Sequence, residues 1–304
     1  MPWPFNRRKK APTPIVSEQR SRDESVALPA MAGNRRFLKN VPYMLPKDLG
    51  EINRLDFQHF ALRATLKGNY LAPLENPTFI LDVGCGTGQW CYEMCAEFPA
   101  AQITGFDLEA GKPANLPNYR FVAGNVLDGL PFPDSSFDYI HQRLLVTALP
   151  LTAWPVEVKE LARVARPGGW IELIEGGDEI APSGPATRRL FDLMIQLAAI
   201  RGLDTGGVVA RSLDEYLHQA GMQHVRKGTI DIPLGQWGGR IGGLMARNFR
   251  TTFGGVREVF QARFRLPGAE FDQLLAAMEQ EWDEHHTVYR FTYAYGQKGQ
   301  YQLS

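Results

Sequence analysis

Between residues 78 and 175 the chain alternates short apolar runs with longer segments in which apolar residues recur at helical spacing. The apolar runs have the length and composition of strands, and they cover residues 78–83, 102–107, 119–123, 137–141 and 170–175. Residues 89–98 and a segment beginning near Pro155 predict helices, since proline suits the first helical position. Short strands separated by helices are typical of βαβ units, so this region predicts a mainly parallel sheet.

The flanking segments add further elements. Before the first strand, Asp48 predicts an N-cap and Glu51 a capping box for a helix whose apolar stripe includes Leu55 and Leu62. After residue 180 the pattern predicts four helices and two strands. The helices cover residues 185–201, 212–220, 238–260 and 269–285, and the strands cover residues 224–232 and 287–295.

These elements define the expected fold class and domain organisation. The fold is α/β: a Rossmann-like, seven-stranded, mainly parallel sheet flanked by helices, with extra helices forming a cap. Residues 1–40 are assigned to a flexible N-terminal tail, because five prolines and the basic cluster 7–10 fall in the first thirty residues without an apolar run. Residues 41–304 form one domain, with an N-terminal helix and inserted cap helices around residues 183–222 and 238–285.

Composition narrows the classes of function. The 33 basic and 33 acidic residues give a net charge of zero, which disfavours nucleic acid as a partner. No apolar run has the length of a membrane span, so no membrane partner is expected. An odd count of three cysteines does not make a disulfide framework and indicates a reducing, cytoplasmic setting.

A glycine-rich turn follows the first strand of the sheet. Gly84, Gly86 and Gly88 allow close approach of a ligand to the backbone, where a Cβ would collide with it. Dinucleotide sites favour Gly-x-Gly-x-x-Gly/Ala, but position 89 is glutamine. The preceding Asp82 also suits a cationic ligand better than a pyrophosphate. The turn therefore indicates an adenosine-containing cofactor, with a spacing that departs from the NAD pattern.

Polar residues end the next two strands. Asp107, followed by Leu108, can accept both hydroxyls of a ribose, and the alternative is a solvent-facing residue at a strand end. Asn125 can hydrogen-bond the amino group of adenine, and the N–H of Val126 can reach a ring nitrogen. Gly-Asn is also ordinary turn chemistry, so both interpretations of Asn125 stay open.

These residues resemble the ordered motifs of the class I S-adenosylmethionine (SAM) methyltransferases. The matching segments are Leu81–Gly88, Gly105–Asp107, Leu130–Asp134 with Ser136–Asp138, and Arg166–Gly169. More narrowly, Tyr43–Pro46, Arg54–His59, Phe137–His141 and Gly168–Glu172 resemble the LaeA-like branch. That branch includes fungal regulators of secondary metabolism and many small-molecule methyltransferases. The resemblance covers roughly residues 40–180 and does not extend to the segment that would recognise a substrate.

The resemblance implies SAM as the cofactor and assigns contacts residue by residue. The contacts carried over from the family are Gly84, Gly86, Asp107, Asn125 and Val126. The full expected set of cofactor-binding residues adds Asp82, Gly88, Leu108, His141 and His59. Asp82 would orient the methionine ammonium group. Asn125 stands where the family usually has aspartate. Gln58 and His59 match a helix that folds over the cofactor, although His59 can equally face the core.

Two residues are candidates for catalysis. His141 ends the fourth strand, where its carbonyl can hold the ammonium group and its ring can act as a general base; the alternative is a histidine satisfied by local hydrogen bonds. Glu175 ends the fifth strand as a candidate base or cation stabiliser, and the alternative is a solvent-facing strand end. Glu172 is interpreted as structural. No metal site is expected, because Cys91 and Cys95 lack further ligands nearby.

Three functions are compatible with these features. The favoured hypothesis is a SAM-dependent methyltransferase acting on a small molecule of specialised metabolism. The alternative is a LaeA-like regulatory protein that binds SAM and acts through protein partners. An NAD-linked oxidoreductase is the third, and the glycine spacing with Gln89 speaks against it. The aromatic alternation from Tyr289 to Tyr295 is interpreted mainly as core, although Tyr289 or Trp237 can line a substrate pocket.

Overall fold

The computed structural model describes residues 31–32, 35–38 and 41–300. The strands are β1 (Met31–Ala32), β2 (Arg35–Arg36), β3 (Phe79–Val83), β4 (Gln102–Asp107), β5 (Tyr119–Ala123), β6 (Phe137–Arg143), β7 (Ala165–Ala181), β8 (Met222–Pro233) and β9 (Val288–Lys298). The α-helices are α1 (Leu49–Leu66), α2 (Gln89–Glu97), α3 (Trp154–Val164), α4 (Pro185–Ile200), α5 (Val208–Arg211), α6 (Leu213–Gln219), α7 (Gly239–Phe264) and α8 (Gly268–His285).

Strands β3 to β9 form one seven-stranded sheet in the order β5-β4-β3-β6-β7-β9-β8. Strands β3 to β7 pair in parallel, while β9 runs antiparallel to both of its neighbours. The predicted α/β class with a mainly parallel sheet is confirmed. The strand order reverses at β3, which has β4 on one side and β6 on the other. In open α/β sheets a ligand crevice forms at the carboxyl ends of the strands at such a point.

Helices cover both faces of the sheet because successive residues of a buried strand point to opposite faces. Ile80 packs with α2 on one face, whereas Leu81 packs with α3 and α6 on the other. A separate apolar cluster joins α1, α4, α7 and α8 to the outer part of β8 and β9. These four helices, together called the cap below, lie beyond the carboxyl ends of the strands. No helix in the described part of the chain is long and apolar enough to cross a membrane.

Helix α1 begins as predicted, but its first turn differs in one respect. Asp48 is the N-cap, and its carboxylate accepts the N–H groups of Gly50 and Glu51. The Glu51 carboxylate does not return to the N-cap as a capping box would require. It instead accepts hydrogen bonds from Arg54 at 2.6 and 2.7 Å and from the Tyr43 hydroxyl at 2.5 Å. The buried Glu51–Arg54 ion pair therefore replaces the capping-box contact, while Asp48 remains the N-cap.

The boundary of the predicted tail also differs. Among the described residues before 41, Phe37 is buried in the cap cluster. Arg35 pairs with Asp48 at 2.6 Å, and Arg36 pairs with Glu109 at 3.1 Å. The flexible tail therefore does not extend to residue 40. The basic cluster 7–10 lies outside the described residues.

Strand β7 is longer than predicted because it incorporates a turn. Phe137 pairs with Ala165 and Tyr139 pairs with Trp170, so two residues of β6 face several of β7. The intervening Arg-Pro-Gly-Gly segment bulges, with Gly168 at a φ of +80°. The sequence predicted a strand over residues 170–175 only, whereas the observed strand begins before the turn, at Ala165, and continues to Ala181.

Candidate functional site

A cavity of about 680 Å³ lies over the carboxyl ends of the parallel strands and beneath the cap. Nine of the ten predicted cofactor contacts line it, namely Asp82, Gly84, Gly86, Asp107, Leu108, Asn125, Val126, His141 and His59. Gly88 and the predicted catalytic residue Glu175 are not among the lining residues. The volume falls within the range of cofactor and substrate pockets.

All three glycines of the turn have a left-handed backbone conformation. They differ in what an added Cβ would contact. A Cβ on Gly84 would lie 2.5 Å from Leu145 Cδ2, and a Cβ on Gly88 would lie 2.5 Å from the Tyr92 hydroxyl. Protein side chains, and not only a ligand, therefore exclude larger residues at these two positions. A Cβ on Gly86 would meet its nearest atom, on Leu55, at 3.4 Å. Gly86 is thus the glycine of the turn with open space before it.

Asp107 joins the end of β4 to this turn. Its Oδ2 accepts the N–H of Gly86 at 2.9 Å, and its Oδ1 lies 3.1 Å from Lys47 Nζ. The side chain is half-buried and lines the cavity. An ionised carboxylate has about four lone-pair positions, so both oxygens retain capacity to accept hydroxyl groups from the cavity. Lys47 was not predicted, because the residues that bring it here are far away in the sequence.

Asn125 has the structural role in a turn that the sequence left open beside an adenine contact. It is the N-cap of a 3-10 helix over Val126–Asp128, and its Oδ1 accepts the N–H of Leu127 at 3.1 Å. Asn125 and Val126 also line the cavity. The amide group remains available to a ligand, so the turn geometry and an adenine contact are compatible.

His141 and Asp82 form a buried pair between β6 and β3. His141 Nδ1 donates to Asp82 Oδ1 at 2.8 Å, and Cys91 Sγ lies 3.3 Å from Asp82 Oδ2. The imidazole ring stacks on Trp90 with ring centroids 4.1 Å apart and is 1% exposed. Its Nε2 has no hydrogen-bond partner within the described residues. Parallel pairing of Asp82 with His141 explains why these residues meet.

His59 lies between Arg143 and Glu93. Its Nδ1 is 3.1 Å from Arg143 Nη2, and its Nε2 is 3.2 Å from Glu93 Oε1. Burial, with the Arg143 charge, lowers the pKa of His59 to about 4, so the ring is neutral at pH 7. The sequence left open whether His59 lies over the crevice or faces the core. In the structure its side chain is buried and also lines the cavity.

Glu175 and Glu172 are buried acids that hold backbone amides. Glu175 accepts the N–H groups of Leu145 and Val146 at 2.8 and 3.2 Å, and burial raises its pKa to about 8. Glu172 accepts the N–H groups of Leu71 and Ala72, and burial raises its pKa as well. The alternative of a solvent-facing strand end is wrong for Glu175, which is 0% exposed. The contacts favour a role in shaping the loop after β6.

The part of the cavity under the cap has aromatic walls, and we call it the acceptor half. Its rings are Phe191, Phe249, Phe253, Tyr289 and Phe291. The ring centroids of Phe249 and Tyr289 are 4.8 Å apart, and those of Phe191 and Phe253 are 5.2 Å apart. Part of the aromatic alternation on β9 therefore lines the cavity. Trp237 stacks instead on His286, away from the cavity.

The other candidate residues have ordinary structural roles. Cys85, Cys91 and Cys95 are buried free thiols. No group of three or more potential metal ligands occurs within the described ranges.

The donor set fits SAM. Gly86 leaves room for close approach to the backbone, Asp107 offers a carboxylate to a ribose diol, and Asp82 offers one to a cationic group. SAM combines a ribose, a sulfonium and a charged amino-acid tail, so it calls for this mixture of acidic and open backbone positions.

Comparison with known proteins agrees with this chemistry. The family model described as "Methyltransferase domain" matches residues 80–169. The N-methyltransferase sirN of Leptosphaeria maculans is 29% identical over 281 residues, covering 84% of this chain and 94% of sirN. Methyltransferase str2 of Strobilurus tenacellus is 31% identical over 207 residues, covering 64% of this chain and 72% of str2. The chain belongs to the class I SAM-dependent methyltransferases, and its cofactor is SAM.

Two further similarities set the scope of this assignment. The secondary metabolism regulator laeA of Aspergillus fumisynnematus is 30% identical over 207 residues, and the chain spans 54% of its length. A crystal structure of an Anabaena variabilis ATCC 29413 protein, described as a methyltransferase from an antibiotic biosynthesis pathway, has a TM-score of 0.51 at 16% identity. The match covers 76% of this chain and 96% of that one, and it shows the fold alone. The NAD-linked alternative is wrong.

Proposed function

We propose that this methyltransferase acts on a small, largely apolar molecule bound in the acceptor half of the cavity. The observation that carries the proposal is the aromatic wall contributed by α4, α7 and β9 directly beyond the cofactor crevice. Such a wall suits an apolar or aromatic molecule, because ring pairs and apolar burial favour binding without demanding charge. A protein surface would need a more open approach to the methyl group.

The relatives support a place in specialised metabolism. One is named an N-methyltransferase and another a secondary metabolism regulator. We therefore place this chain among enzymes that methylate small secondary metabolites. We also propose a cytoplasmic location, since the three cysteines are free and buried.

The site residues divide by their position along the crevice. We propose that Gly84, Gly86, Gly88, Asp107, Leu108, Asn125 and Val126 form the adenosine end. Gly88 would act indirectly, through the shape of the turn. Asp82, His59 and His141 belong to the methionine end, on the side of β6. Glu175 acts as a positioning residue, since it fixes the backbone of Leu145 and Val146, whose side chains line the cavity.

The chemistry asks little of a general base. Methyl transfer is a displacement at the sulfonium methyl group, so positioning and exclusion of water are the main contributions of the protein. The aromatic wall provides both, and ring faces also stabilise a nearby cation. His141 remains our candidate for accepting a proton, through its unpartnered Nε2.

The test uses methyl-labelled SAM with separate small-molecule and protein fractions of an extract of the source organism. Label in a small molecule supports the proposal, and label confined to protein overturns it. Phe249→Ala should reduce labelling of the small molecule while binding of S-adenosylhomocysteine (SAH), the demethylated cofactor, is retained. Asp107→Ala is the matched control that should lose both.

The second candidate is a protein acceptor. It is favoured by 30% identity over 207 residues to laeA of Emericella nidulans, which is named a protein-methionine methyltransferase. The protein fraction of the same experiment tests it, because a labelled polypeptide would then appear independently of Phe249.

A further inference from the structure

The cations that line the cavity differ in how their charge is balanced. Four arginine or lysine side chains line it, namely Arg36, Lys47, Arg54 and Arg143. Three of them have carboxylate partners, in the pairs Arg36–Glu109, Lys47–Asp107 and Arg54–Glu51, with N–O distances of 3.1, 3.1 and 2.6 Å. Arg143 is the exception among the described lining residues.

Arg143 is the last residue of β6. Within residues 41–300 no carboxylate oxygen lies within 4.0 Å of its guanidinium group, whose hydrogen bond goes to His59. Burial lowers the pKa of Arg143, because desolvation disfavours the charged guanidinium group. A buried charge is ordinarily paired, and Arg143 retains surface toward the cavity. The arrangement therefore favours an anion supplied by a ligand.

His59 fixes the direction of this guanidinium group. Arginine can only donate, so His59 Nδ1 is the acceptor and the imidazole proton is on Nε2, which faces Glu93. One of the five guanidinium N–H groups is used in this contact. The others remain for the cavity, in the planar geometry that binds a carboxylate with two hydrogen bonds.

The carboxylates that surround Arg143 act on it only through space. Asp82, Glu172 and Glu93 each raise its pKa against the effect of burial. Asp82 is engaged by His141, Glu172 by two backbone amides, and Glu93 by Arg63 at 2.6 Å. None of them is placed to form a close pair with Arg143.

The strand order places Arg143 and Asp107 on opposite sides of β3. Asp107 ends β4, on one side of β3, whereas Arg143 ends β6 on the other side. If Asp107 binds the ribose of SAM, the amino-acid tail would be directed across the glycine turn toward β6. The anion on that tail is the α-carboxylate. We propose that Arg143, oriented by His59, binds the α-carboxylate of the SAM methionine.

Calorimetric titration with three ligands tests this assignment without relying on turnover. SAH carries the α-carboxylate, its decarboxylated analogue lacks only that group, and 5′-methylthioadenosine lacks the whole amino-acid tail. We expect Arg143→Met to weaken SAH binding by about 10- to 100-fold, the loss of a charge-assisted hydrogen-bonded pair. Binding of the other two ligands should change by less than about twofold. His59→Ala should give a smaller loss for SAH, again without affecting methylthioadenosine.

Arg63→Met is the matched control. Arg63 also contacts the Glu93 carboxylate, but it is an exposed residue that does not line the cavity, so SAH binding should be unchanged. If Arg143→Met does not fold, Arg143→Lys keeps the charge without the fork and should show a smaller selective loss. Equal weakening of SAH and methylthioadenosine, or no weakening of SAH, overturns the proposal. Methylthioadenosine binding by the wild type depends on neither the acceptor nor the proposed function.

Discussion

Replacement of Gly84 by alanine tests why the glycine turn has its sequence. Gly84 has a φ of +72°, and an added Cβ would lie 2.5 Å from Leu145 Cδ2. The left-handed backbone costs a non-glycine residue about 1–2 kcal/mol. Forcing an extra carbon into this contact costs about 1–3 kcal/mol more. Gly84→Ala should therefore lower the free energy of unfolding by roughly 2–5 kcal/mol.

A second glycine separates these two contributions. Gly202 has a φ of +70°, and an added Cβ there would have nothing within 4 Å. Gly202→Ala should carry only the backbone cost of about 1–2 kcal/mol. Urea unfolding of both variants gives the difference, which we expect to be about 1–3 kcal/mol from the contact with Leu145.

The contact predicts a coupling as well. In a Leu145→Ala background, the cost of alanine at position 84 should fall to the value measured at Gly202, because the clashing methyl group is gone. If Gly84→Ala costs no more than Gly202→Ala, or if its cost is undiminished in that background, the steric explanation is wrong.

Three further predictions concern the acids and the aromatic wall. The pKa of Glu175 rises from 4.5 to about 8 on folding, so its contribution is fully present below about pH 4.5 and is lost as the pH rises through 8, a decline of up to about 5 kcal/mol. Urea unfolding from pH 5 to 9 should show a flatter dependence in Glu175→Gln, and an unchanged slope would contradict the burial argument. Asp107→Asn should weaken SAH and methylthioadenosine equally, by about 1.5–3 kcal/mol, since both ligands contain the ribose; selective loss of one would place Asp107 elsewhere. Phe249→Ala should raise KM for the acceptor while SAH affinity in calorimetry stays within about twofold, and a matching loss of SAH affinity would deny that the acceptor half is separate.

The sheet could be predicted from sequence because its signals are local. Each parallel strand is a short apolar run, and the alternation with helices leaves few topologies open. The glycine turn and Asp107 were found for the same reason, since they follow directly from the ends of two such runs. The bulge in β7 was missed because Ala165 already pairs with Phe137 of β6 before the Pro-Gly-Gly turn. No local signal in the sequence marks that pairing.

The electrostatic partners could not be predicted, since they meet through tertiary structure. Lys47 is 60 residues from Asp107 in the sequence, and Arg143 is 84 residues from His59. Glu175 was a catalytic candidate because the strand was expected to end there, at the edge of the sheet where ligands bind, but β7 continues to Ala181. Its burial depends on how the loop after β6 folds back over it. Arg143 had one overlooked signal, its spacing of two from His141, which puts both on the same face of β6.

The origin of the cap in the sequence bears on how this fold can diversify. Helix α1 precedes β3, but the other three cap helices are insertions at one edge of the sheet: α4 lies between β7 and β8, and α7 and α8 lie between β8 and β9. The glycine turn and the ends of β4 and β5 belong to the opposite side. Mutations that reshape the insertions can therefore accumulate while the register of the parallel strands is preserved. Selection for a new acceptor and selection for cofactor affinity thus act on largely separate stretches of the polypeptide.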